Sequence, residues 1–244
     1  MNTPDTFSPE AACPATQWSL IRLAVDGTED QRKTALEMLC RIYWLPLYAF
    51  LRSAGRSHEM AEDIVQEFFL RLLDGRLLAS ATPERGRFRS LILTALKNLD
   101  HDLRRMEQTR KRGGGCEMLS LDMSGAQDFW QNQQASEATP DQAFDRAWAM
   151  TLIDRAAHRL KQHFTLEGKE ALFAELYPRI LGEEAEDGLA AVANRLGMSA
   201  AAVKVAAFRI RRHYAEMLQE EVRRTVITAE EAKQELLHLR TAFC

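Results

Sequence analysis

Residues 59 to 74, EMAEDIVQEFFLRLLD, constrain the fold more than any other stretch of this chain. Their apolar residues come in adjacent pairs: Met60/Ala61, Ile64/Val65, Phe68/Phe69 and Leu72/Leu73. A strand repeats every second residue, whereas this three-and-four spacing lines one side of a helix. Glu59, Glu62, Asp63, Gln66 and Glu67 fall on the other side. A helix of this length is marginal alone in water, so the stripe has to dock into a shared core. The acidic side is either solvated or a docking strip for a basic partner.

A second helical stripe runs through Arg85 to Arg112, RGRFRSLILTALKNLDHDLRRMEQTRKR, with Phe88, Leu91, Ile92, Ala95, Leu96, Leu99 and Leu103 at the same spacing. Nine Lys/Arg against three acids give it +6, while the whole chain is −3. The remaining 216 residues therefore sum to −9. Positive charge gathered in one place on an acidic protein is the footprint of a polyanion-binding surface, and an open cationic groove is expected there. A solvated basic helix face is the alternative.

The rest of the chain punctuates itself. Residues 1–15 hold three prolines and read as a loose arm. A short helix through Trp18, Ile21, Leu23, Ala24 and Val25 follows Thr16 and ends at Asp26-Gly27. The helical pattern from Glu29 to Ala54 meets Pro46, which predicts a kink or restart near Leu45, and Gly55 closes it. After Arg112, Gly113-Gly114-Gly115 opens a polar stretch, so 113–140 reads as a linker. Helices resume at Asp141 with Phe144, Trp148, Leu152, Ile153, Ala156 and Leu160. The next helix, through Leu172, Phe173, Leu176 and Tyr177, is expected to stop at Pro178, and an acidic loop 182–188 follows.

LAAVANRL-GMS-AAAVKVAAFRIRRHYAEML then reads as a short helix, a turn at Gly197 and a helix capped by Ser199. That is a helix-turn-helix pattern, or else a plain helical hairpin. Val203, Ala207, Ile210, Tyr214 and Met217 form its inward stripe, and no acid stands between Ser199 and Tyr214. The tail 222–244, through Val226, Ala229, Ala232, Leu236, Leu237 and Leu239, reads as a packing helix. The fold expected is all-α: two small helical domains, 16–112 and 141–221, joined by a flexible linker, with the helix-turn-helix in the second.

No apolar run reaches membrane-span length, and the first residues lack a signal-peptide pattern, so a cytoplasmic location is expected by default. Cys13, Cys40, Cys116 and Cys244 show no C-x-x-C spacing, which argues against a disulfide framework or zinc site. Cys40 reads as a small core residue. His58-Glu59-Met60-Ala61-Glu62 is half a zinc-protease signature without its second histidine. Glu235 and His238 have the i, i+3 spacing of a di-iron ligand pair, with no second copy. The glycine triplet lacks the G-K-[ST] of a phosphate loop. No catalytic centre, metal or cofactor is expected.

Taken in order, these segments resemble a bacterial RNA polymerase sigma factor, more closely the extracytoplasmic-function (ECF) type. AEDIVQEFFLRLL resembles that family's core-polymerase-binding helix, with Asp63, Gln66, Glu67 and Phe69 matching its D-x-x-Q-E-x-F pattern. RFRSLILTALKNLDHDLRR resembles the promoter-melting segment, and DGLAAVANRLGMSAAAVKVAAFRIRR the helix-turn-helix that reads the minus-thirty-five element. LCRIYWLPLYAFLR and RGRFRSLILTALKN look like a particular ECF-like subgroup.

The resemblance implies core RNA polymerase and promoter DNA as partners, the DNA both as duplex and as melted non-template strand. It leaves open an anti-sigma factor and implies no membrane. Asp63, Gln66, Glu67 and Phe69 would meet the polymerase. Arg85 and Arg87 would hold a flipped base, Arg89 would bind the minus-ten DNA, and Lys97, Asn98, Arg104 and Arg105 would line the minus-ten backbone. Ser199, Lys204, Val205, Phe208 and Arg209 would face the minus-thirty-five major groove, with Arg211 and Arg212 on phosphates. A stand-alone helix-turn-helix regulator and an all-helical interaction protein such as a sigma mimic remain as alternatives.

Overall fold

The computed structural model describes residues 17–82, 84, 86–109, 130, 138–181 and 188–243. The arm 1–15, Thr16, Pro83, Arg85, Arg110 to Arg112, the linker as far as 137 apart from Trp130, residues 182–187 and Cys13, Cys116 and Cys244 lie outside them. The described residues form ten helices and no strand. We number them α1 (Gln17–Asp26), α2 (Glu29–Ser53), α3 (His58–Leu73), α4 (Arg76–Ala79), α5 (Phe88–Thr109), α6 (Pro140–Leu166), α7 (Glu170–Ile180), α8 (Leu189–Leu196), α9 (Ala200–Arg223) and α10 (Ala229–Thr241). The fold is all-α.

Local chemistry starts the helices. Thr28 caps α2 in a reciprocal box with Gln31, and Glu29 and Asp30 sit at the positive end of the helix dipole. Thr139 with Gln142 caps α6, ahead of Pro140, whose missing N–H costs nothing in a first turn. Thr228 with Glu231 does the same for α10, and Ser57 caps α3.

Two prolines behave differently from expectation. Helix α2 runs through Pro46 without the expected restart. Beyond it Leu47, Tyr48, Phe50 and Leu51 are all buried. At roughly 1.5–3 kcal/mol per large apolar side chain, that burial outweighs the ~3 kcal/mol proline cost. Helix α7 passes Pro178 and ends two residues later at Ile180. So little helix follows the proline that little is disrupted.

Two hydrophobic clusters hold the helices together. The first joins α1 to α5 with Phe144, Trp148, Ala149 and Leu152 of α6, and with Val222, Val226, Ala232 and Leu239 from the last part of the chain. Its hub is Tyr43, which is fully buried. The Tyr43 ring stacks on Trp148 at 5.1 Å and 11° and meets Phe88 edge-on at 5.6 Å. Its hydroxyl donates to Gln17 Oε1 of α1 at 3.0 Å, and burial pushes that phenol far above its ordinary pKa. The second cluster joins Leu160 and Phe164 of α6 to Phe173, Leu176, Val192, Ala193, Val203 and Ile210.

The boundary between the clusters therefore does not sit at the linker, as the expected domains 16–112 and 141–221 would have it. It falls inside α6, a helix about 40 Å long whose two halves face different cores. The tail also packs back on the first cluster, and the Gln17 N–H donates to the Arg224 carbonyl at 2.9 Å. Periodicity shows that a helix has an apolar stripe, but not which core receives it.

Candidate nucleic-acid interface

The α8–α9 pair is built around Gly197 and Ser199. Gly197 takes the left-handed conformation (φ 61°) that ends α8, and its N–H bonds the Ala193 and Asn194 carbonyls. The Ser199 hydroxyl accepts from the Ala202 N–H at 3.2 Å and starts α9. The two helices meet at 97°, within the range of helix-turn-helix motifs. Val203 and Ile210 are fully buried, and Ala207, Tyr214 and Met217 pack behind them. That stripe pins α9 and turns Lys204, Val205, Phe208, Arg209, Arg211 and Arg212 outward. Phe208 is 64% exposed, a large apolar ring held in water. Arg212 donates to Glu216 at 2.9 Å. Among the described residues Lys204, Arg209 and Arg211 have no ion pair.

On α3, Asp63 is exposed, while Gln66 and Glu67 are half-buried on the same side. Glu67 accepts from Arg71 Nε at 2.8 Å. Glu59 has its carboxyl held below the ordinary range by its own backbone N–H and by Ser57. Phe69 departs from expectation. It is 1% exposed and packs edge-on to Phe68, so it belongs to the core and offers no surface to a partner.

The cationic row on α5 is not an open groove. Arg89 is 8% exposed. It donates to Asp145 Oδ1 at 2.6 Å and to Glu235 Oε2 at 3.2 Å. Arg87 lies 2.7 Å from Glu235 Oε2. Lys97 pairs with Asp141 and sits over the Phe50 ring. Arg104 donates to Asp100 and to the Ala54 carbonyl, and Arg105 stands 3.7 Å from Asp102. Asn98 is exposed. The expectation of a continuous free cationic surface on α5 is thus corrected. A charge count within the stretch could not register carboxylates that reach it from α6 and α10.

No protein-family model, curated protein or solved structure matches the chain.

Sequence reading missed three buried ionic knots. Glu235, with no solvent exposure, takes Arg87, Arg89 and the Trp148 indole N–H. Glu221, 1% exposed, takes Arg155 and Arg159 at 2.8 Å each and Arg224 at 2.7 Å. Burial opposes its charge, but the guanidinium groups prevail and hold the carboxyl below its ordinary pKa. Arg56 and Asp100 form the third, at 2.6 Å. A signal existed for Glu235, which lies three residues after Ala232 and four before Leu239, inside the apolar stripe of its own helix.

The i, i+3 pair Glu235 and His238 is engaged with protein: His238 meets Asp145 at 2.9 Å. Among the described residues no cluster of three or more His, Cys, Asp or Glu is arranged to hold a metal, and no single helix is long and apolar enough to cross a membrane.

Proposed function

We propose that this protein is a sigma factor of the ECF-like type: it binds core RNA polymerase and directs it to promoters. The observation that carries the DNA part is the outer face of α9. A helix fixed at 97° to its neighbour presents Lys204, Val205, Phe208 and Arg209 together, with Lys204 and Arg209 free of ion pairs among the described residues. Charge there suits phosphates and base edges, and the apolar side chains suit thymine methyl groups.

Helix α3 supports the polymerase part: it leaves Asp63, Gln66 and Glu67 on one side, while its other side is locked in the core. Acid held on a rigid element steers association with a basic surface and sets its register. Energy explains why a partner is needed. Opening about ten base pairs forfeits stacking of roughly 1.4 kcal/mol per step. A captured base returns only about 1–3 kcal/mol. A protein of this size selects where the bubble forms, and the polymerase supplies most of what sustains it.

One observation favours a second reading, a stand-alone helix-turn-helix regulator that needs only the duplex. Arg87, Arg89, Lys97 and Arg104 are all ion-paired, whereas among the described residues Lys204, Arg209 and Arg211 are not. Transcription by purified core polymerase over a promoter library, with and without the protein, separates the two. Promoter-selective initiation that depends on the protein is expected. Unchanged initiation across the library would defeat the sigma reading, and duplex binding alone would then leave the regulator.

A further inference from the structure

We propose that α10 is an intramolecular latch: its Glu235 carboxylate occupies the place of a DNA phosphate on Arg87 and Arg89 and holds single-stranded DNA off α5 until the tail is displaced. The inference rests on the sigma reading, in which those arginines meet the melted strand.

The chemistry of the contact is that of phosphate recognition with a carboxylate substituted. One fully buried acid receives two guanidinium groups, from Arg87 at 2.7 Å and Arg89 at 2.9 Å. Arginine binds carboxylate and phosphate with the same fork of donors. A nucleotide phosphate and Glu235 therefore compete for the same hydrogen atoms.

The seat of α10 is light. Its buried apolar residues are Ala232 and Leu239, with Leu236 half-buried, while Leu237 and Phe243 are 56% and 48% exposed. Its other ties include the Trp148 indole N–H donated to Glu235 at 3.4 Å, His238 to Asp145 at 2.9 Å, and Arg146 Nε donating to the Ala242 carbonyl at 3.1 Å. The helix can thus leave without dismantling the Tyr43–Trp148 stack, to which it contributes no ring.

Arg89 meets both carboxylate oxygens of Glu235, by Nη2 to Oε2 at 3.2 Å and by Nε beside Oε1 at 2.9 Å. Arg87 is 28% exposed along its side chain. It stands at the solvent edge, where an incoming strand reaches it first. Arg89 keeps Asp145 when Glu235 departs, so the latch releases one acid and leaves the arginine still positioned.

The test uses the full chain and a fluorescent single-stranded oligodeoxynucleotide, read by anisotropy at fixed salt. If the closed form dominates about ten to one, Glu235→Gln raises apparent affinity roughly tenfold, because affinity scales with the competent fraction. His238→Ala, at a half-exposed position, gives a smaller gain in the same direction. Arg87→Ala added to Glu235→Gln removes the gain. Equal affinity for wild type, E235Q and H238A overturns the latch.

Hydrogen exchange on the wild-type protein covers the case in which E235Q fails to fold. Saturating oligonucleotide should speed exchange of the amides of Ala229–Thr241, and unchanged protection overturns the proposal. Polymerase-dependent initiation by the wild type, with no gain from the variants, sinks the latch and leaves the sigma reading standing. Absence of such initiation sinks that reading, and the latch with it.

Discussion

The Tyr43 and Trp148 rings lie parallel, 5.1 Å apart and 11° from coplanar, and both are fully buried. One comes from the centre of α2 and the other from the first half of α6, on the far side of the linker in sequence. Trp148 also donates its indole N–H to Glu235. This pair is where the later part of the chain is bonded into the first core.

Trp148→Ala should therefore loosen the whole molecule. Truncating a buried tryptophan costs about 3–5 kcal/mol, enough to consume much of a domain's stability. Urea denaturation followed by circular dichroism measures it. A loss under about 1 kcal/mol would show that α6 and α2 are held together by other contacts.

Reversing charge at Asp63 and Glu67 to lysine should slow association with core polymerase by about tenfold at low salt, with a weaker effect as salt rises. Neither side chain belongs to the core, so the helical signal and duplex binding by α9 should stay as they are. Simultaneous loss of duplex binding would show that the acidic side of α3 is structural.

On α9, Lys204→Ala and Arg211→Ala should behave differently. In the proposed reading Lys204 touches a base edge, and its removal relaxes preference at one position of the site by about 1–3 kcal/mol. Arg211 in that reading touches a phosphate, so its removal weakens every sequence alike and lowers the salt slope by about one. Binding isotherms over a set of single-base variants at several salt concentrations sort them. A uniform loss for K204A would reassign Lys204 to the backbone.

Glu221 supplies a pH prediction. Its carboxyl is held below the ordinary value, so the folded state binds its proton less readily than the unfolded chain does. The resulting stability is present above the unfolded pKa of about 4.3 and is lost as pH falls through the lower folded value. Glu221→Gln should flatten the stability profile below about pH 5 and should cost about 3–5 kcal/mol at neutral pH, because three guanidinium groups lose their buried counter-charge. Thermal melts from pH 3 to 7 give both numbers. An unchanged acid limb would place the acid sensitivity in other carboxylates.

Much of the fold was legible in the residues. The paired apolar spacing of 59–74 produced α3 over His58–Leu73, whereas the tail expected as one helix over 222–244 is divided: 222 and 223 end α9, and α10 starts at Ala229 behind the Thr228 cap. Gly197 and Ser199 announced the turn between α8 and α9, because a left-handed residue and a cap act within their own few residues. Lys204, Arg209 and Arg211 of α9 could be read too, since no acid stands between Ser199 and Tyr214, although Arg212 reaches Glu216 just beyond. Phe69 was harder: it sits in a motif associated with a partner, but its place in the i, i+4 stripe through Val65 and Leu72/Leu73 already said core.

What the sequence by itself determined is everything whose cause is local: helical periods, caps, the turn, and the segregation of acid on α3 from cations on α5 and α9. Only the tertiary structure decided which core each half of α6 enters, that α2 continues through Pro46, and that the arginines of α5 are met by Asp145 and Glu235. Those outcomes depend on groups tens to more than a hundred residues apart. Their pairing energy arises only when long-range packing brings them within a few ångströms and excludes water, and no pattern of spacing along one segment carries that information.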